Sequence, residues 1–101
     1  MKVRINWFCK PRSKQATYEA EEIFIDQYID FIPPIGSYVH VHEDGLIGKV
    51  GDIYIETFAR KDGGPSVFIY LDAPERAVDL RPWTEMKAQG WSIEYAPKEG
   101  V

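Results

Sequence analysis

The sequence predicts a mostly β protein, a small antiparallel barrel or sandwich of about six short strands with one short helix near the C-terminus. Three observations carry that prediction. Apolar and polar residues alternate with a period of two in several segments. Turn-forming residues recur about every ten positions, at 33–36, 43–45 and 61–65. Only one stretch, bracketed by Pro82 and Gly90, has the punctuation of a helix. By element count the nearest barrel type is SH3-like, and with 101 residues a single domain is expected.

The first strand is read over residues 3–9, with Val3, Ile5, Trp7 and Cys9 on one face and Arg4, Asn6 and Lys10 on the other. After a polar segment, a second apolar run spans residues 23–32 and is expected to pair with the first as a hairpin. The charges of residues 1–14 are all basic, whereas residues 15–48 hold seven acids and no Lys or Arg. Pairing the two strands places opposite charges across the ladder, each such pair contributing about 0.2–1 kcal/mol. The alternative is that residues 10–14 form a basic arm that contacts an acidic partner.

Pro33 and Pro34 have no N–H to donate, so the second strand must end before them. A third strand is expected over residues 37–42, turning at Glu43-Asp44-Gly45 with Gly45 free to take a positive φ. Leu46 starts the return strand, in which Gly48 and Gly51 suggest a bulge that curls the sheet. Residues 52–60 and 66–72 form the strongest hairpin signal. One face presents Ile53, Ile55, Val67, Ile69 and Leu71, and the other Tyr54, Phe58, Phe68 and Tyr70. Residues 76–80 could be a further short strand. A helix of about two turns follows, with Trp83 and Met86 on one face, then a closing strand with Trp91, Ile93 and Tyr95.

Composition narrows function. The chain is 45% hydrophobic and 28% charged, without an apolar stretch of transmembrane length or a secretion signal, so no membrane role and a cytoplasmic location are expected. A net charge of −4 disfavours nucleic acid, whose binding rests on Lys and Arg. The lone Cys9 has no internal disulfide partner and reads as a buried thiol. A motif-poor chain of this size suits a bacterial or phage accessory protein.

His40 and His42, two apart on an expected strand, share a face and could bind a divalent transition metal, with Glu43 and Asp44 as further oxygen ligands. With Gly36 upstream, the pair resembles the His-x-His element of the cupin barrels, which implies a metal. Gly36 stands closer to His40 than in that family, Leu46 and Ile47 occupy the place of its Glu, and the chain has no third His. A P-loop, a nucleophile-elbow serine and a dinucleotide fingerprint are all absent from the sequence. Asp72 and Glu75 are the nearest approach to paired carboxylates.

The remaining signal is aromatic. Tyr54, Phe58, Phe68 and Tyr70, with Trp83 and Trp91 adjacent, give a two-faced apolar hairpin that needs cover from the C-terminal helix, a partner protein or a second copy. The leading expectation is therefore a non-catalytic protein-interaction or homo-oligomerising domain without cofactor. The alternative is a metal-binding small-molecule enzyme or sensor using His40 and His42.

Overall fold

A computed structural model describes residues 1–8, 22–45, 47–72 and 83–95. Its strands are β1 (Lys2–Phe8), β2 (Glu22–Tyr28), β3 (Tyr38–His40), β4 (Ile47–Ile55), β5 (Val67–Leu71) and β6 (Ser92–Tyr95). One helix, α1 (Trp83–Ala88), precedes β6. The strands form one six-stranded sheet in the order β3-β4-β5-β1-β2-β6, curled into a half-barrel. The expected class holds, in its barrel-like form. Cys9, the basic segment 10–14, Leu46, Glu75 and residues 76–80 lie outside the described residues.

The period-two pattern explains the core. Ile5 stands between Ile25 on β2 and Ile69 on β5, and Trp7 between Ile23 and Leu71. All six are buried, together with Val3, Val50 and Val67. Each large side chain removed from water in this way contributes about 1.5–3 kcal/mol before entropy is counted. Trp7 also meets Trp91 with ring centroids 5.8 Å apart and donates its indole N–H to the Asp72 carbonyl at 2.7 Å.

The hairpin of β1 and β2 forms in the expected register, with Arg4 opposite Asp26. Their side chains meet twice, Nε to Oδ1 at 2.8 Å and Nη2 to Oδ2 at 3.1 Å, so this part of the charge segregation is cross-strand pairing. β2 stops at Tyr28 instead of continuing to Ile32, and just past its end Ile29 exchanges two backbone bonds with Met1. The other neighbour of β1 is β5, and that pairing is parallel, whereas the remaining four are antiparallel.

Glycines shape the sheet where backbone or side chains come close. At Gly51 the β4–β5 register shifts, which is the expected bulge. At Gly48 an added Cβ would lie 2.6 Å from Leu71 Cδ1, so the core packs directly on the β4 backbone. Gly45, in contrast to the expectation, does not take a positive φ. The turn closes with Gly45 N–H donating to the His42 carbonyl at 2.8 Å, and a Cβ there would press on Gln89 and His42.

Helix α1 ends in a left-handed Gly90, φ 105°. Gly90 N–H donates to Lys87 O and Trp91 N–H to Met86 O, the paired bonds of a Schellman ending, which turn Trp91 back into the core. Met86 is buried on the inner side of the helix. Gln89 Nε2 donates to Asp44 O at 3.3 Å, and an added Cβ at Gly90 would meet Ile25 Cδ1 at 3.1 Å. The end of α1 is thus wedged between the β3–β4 turn and β2.

Candidate functional site

Two surfaces collect the chemistry-bearing side chains. The first lies on the outer side of the sheet, with Arg4 and Asn6 of β1, Phe24 and Asp26 of β2, Phe68 and Tyr70 of β5 and, past the bulge at Gly51, Asp52 and Tyr54 of β4. Asn6 is buried there and donates from Nδ2 to Glu22 Oε1 at 2.9 Å. The register sets Tyr54 beside Phe68, Phe68 beside Arg4 and Arg4 beside Asp26 in one row. A second row runs from Asp52 through Tyr70 and Asn6 to Phe24. Tyr54 and Phe68 rings lie 5.9 Å apart at 49°, and the Arg4 guanidinium sits 4.3 Å above the Phe24 ring.

Of the expected aromatic set, Tyr54 is 54% exposed, Phe58 is 62% exposed, and Phe68 and Tyr70 are half-buried. Phe58 does not continue the strand as read from the sequence. β4 ends at Ile55, one more bond joins Glu56 N–H to Ser66 O, and Phe58 stands in the following loop. Ile55, expected in the core, is 51% exposed for the same reason: it lies at the end of the ladder. Trp91 does not join this surface but is buried against Trp7, and the side chain of Trp83 lies outside the described residues.

The loop carrying Phe58 is held by Arg60. Its Nη1 donates to Glu56 Oε1 at 2.7 Å, its Nε and Nη2 reach both carboxylate oxygens of Asp62, and its guanidinium lies 5.8 Å from the Phe68 ring centre. The Arg60 hydrogen bonds, helped by the Gly64 N–H, hold the Asp62 carboxyl well below the usual carboxylate range. Arg60 is pushed up in turn, first by Asp62 and then by Glu56. Both groups stay charged around neutrality.

The second surface is a cleft of about 250 Å³ on the inner side, lined by Ile5, Gln27, Ile29, Phe31, Val39 and Val41 with Pro33, His40 and Ile69. It lies where β2 and β3 face each other without pairing. Gln27 Nε2 spans the gap to the Val41 carbonyl at 3.0 Å. Of the cleft's lining, Phe31 is 71% exposed, and Tyr28 and Tyr38, on the two strands that border it but outside its lining, are 80% and 71% exposed. Sequence reasoning missed these three. For Phe31 the signal available was the apolar run beyond the second strand, Ile29 to Ile35.

Of the expected histidine pair, His40 closes β3 and His42 lies beyond the strand's end. His40 Nε2 is 3.1 Å from the Gly45 carbonyl, which requires that nitrogen to carry the proton. His42 Nδ1 accepts the Asp44 N–H at 3.1 Å. Each ring thus bonds a backbone group of the turn. Among the described residues no group of three His, Cys, Asp or Glu converges as metal ligands. Asp72 is exposed and contributes its backbone carbonyl to Trp7. No described helix is long and apolar enough to cross a membrane.

Comparison of the chain with protein-family models, curated proteins and solved structures finds no match.

Proposed function

We propose that this chain is a non-catalytic protein-interaction domain whose outer aromatic surface joins a partner protein or a second copy. The supporting observation is the exposure of Tyr54, its ring 5.9 Å from that of half-buried Phe68, with exposed Phe58 in the following loop, whose Arg60 lies 5.8 Å from the same Phe68 ring. Exposed aromatic clusters on a rigid frame are costly in water and favour burial against another protein. Arg60 adds a guanidinium that Glu56 and Asp62 already hold in place, so little side-chain freedom is lost on docking. Tyr and Arg are among the side chains that dominate interface energetics.

The test is native mass spectrometry and sedimentation of the wild type and of Tyr54→Asp/Phe58→Asp. Both substituted positions are exposed, so the fold should survive. The expected result is an assembly, with itself or with a co-purified protein, that the double variant weakens about thirtyfold or more. A variant that assembles as the wild type does, or a wild type that stays monomeric and unaccompanied, would count against this function.

A further inference from the structure

Among the described residues, the two stretches that border the inner cleft are open strand edges. Met1 and Ile29 exchange N–H···O bonds in both directions, at 2.7 and 2.9 Å. In an antiparallel ladder, bonded and non-bonded pairs alternate. Counting from Ile29, the backbone groups of Gln27 and Ile25 therefore face β1, and those of Asp26 and Tyr28 face away. β6 pairs only with Glu22 to Phe24, so no strand among the described residues meets Asp26 or Tyr28 on that side. The same count from the Val50 N–H to Ser37 O bond turns the backbone groups of Tyr38 and His40 away from β4, on the strand that ends the sheet.

These edges face each other across the gap that Gln27 spans and that α1 wedges at one end. β2 and β3 run in opposite directions, so a strand entering between them would be antiparallel to one and parallel to the other. Unpaired edge groups are a template for another backbone. The cleft, at about 250 Å³, is below the roughly 300–1,000 Å³ of a small-molecule site, and its lining is apolar apart from Gln27 and His40. It suits an apolar side chain delivered by a strand. Charge selects the strand: Asp26, Asp30, Glu43 and Asp44 lie on or beside the two edges, and residues 26–44 contain no Lys or Arg. Asp26 is paired with Arg4, while Lys2 and Lys49 stand one strand further back.

We infer that the gap between β2 and β3 accepts an extended segment of a partner protein, which adds a strand to the β3 edge, seats an apolar side chain in the cleft and sets Lys or Arg beside the acidic rim. This rests on the reading of the chain as an interaction domain and gives it a second surface and a partner chemistry. Main-chain bonds would supply affinity and the alternate side chains specificity.

The probe is a phage-displayed library of random peptides selected on the intact chain. The expected peptides alternate apolar residues with Lys or Arg. Bound, they slow hydrogen exchange of the Tyr38 and His40 amides. N-methylation of the peptide on its ladder-facing residues weakens them about tenfold or more. Phe31→Ala, at an exposed position lining the cleft, weakens them too, whereas Tyr54→Asp does not. Failure to select any peptide, or binding without protection at Tyr38 and His40, overturns the inference. Protection that appears with protein concentration alone would make a second copy the occupant and overturn the assignment of a different partner. Because the Tyr54 and Phe58 variants read the outer surface, failure of the cleft and failure of the interaction function are separable.

Discussion

The Arg4–Asp26 pair makes a quantitative test of how the outer face is held. The two side chains are only 25% and 28% exposed and make two charge-assisted hydrogen bonds. At such a separation the gross Coulomb attraction is about 4 kcal/mol for an effective dielectric near 20. Ordering two long side chains and removing part of their water cancels most of it, so a coupling energy of about 1 kcal/mol is expected, at the upper end for exposed pairs. Arg4 also lies over Phe24, a contact of about 0.5–1 kcal/mol that Asp26 does not make directly. Asp26→Ala should therefore cost about 1 kcal/mol, Arg4→Ala about 2, and the double variant about 1 less than their sum. Urea unfolding of the four proteins measures these values, and the coupling should shrink in high salt. A coupling indistinguishable from zero at low salt, or a larger loss for Asp26→Ala than for Arg4→Ala, would refute the account.

Other expectations follow from single contacts. Gly48→Ala should destabilise by about 1–3 kcal/mol in urea unfolding, since the new methyl meets Leu71 in the core; unchanged stability would mean that Leu71 can turn away. Trp7→Phe should cost about 1–3 kcal/mol by leaving the Asp72 carbonyl without its donor, and a shift within error of zero would show that water replaces the indole. The Asp62 carboxyl is depressed from its ordinary value of 3.8. Its stabilisation of the Phe58 loop is therefore present above that value and is lost only as pH falls through the depressed one. A carboxyl NMR titration should place Asp62 clearly below its ordinary value of 3.8, and a midpoint at that value would exclude the Arg60 clamp.

Much of the fold was legible because burial follows local patterns. Val3, Ile5 and Trp7 could be assigned to the core from alternation alone, Gly51 marked a bulge, and Gly90 marked the helix end. Alternation reports which face a residue takes but not which strand lies beside it. The β1–β5 pairing was therefore invisible, since nothing local in Val3 or Val67 names the other. Phe58 and Ile55 were misplaced for a related reason: apolar character continued past Ile55, whereas the ladder stopped near Glu56 and Ser66. Trp91 was read as an outer aromatic because its partner in the core, Trp7, lies far away in sequence and nothing local names it. The cleft was missed because an open edge is a property of what fails to pair. His40 and His42 were seen as neighbours of a turn, but that β3 ends at His40 was not legible, since the alternation runs on to His42.

The parallel seam also bears on how the chain reaches its folded state. β1 and β2 can meet early, and β3, β4 and β5 join through successive turns, but the β1–β5 contact requires Val3 to find Val67. Closing so long a loop carries an entropic cost that no neighbouring turn reduces, and such non-local pairing places folding in the slow range of about milliseconds to seconds. During synthesis the edge of β1 stays open until β5 has emerged. That edge backs the most apolar row of the sheet, so the interval before its closure is when the growing chain is most exposed to aggregation.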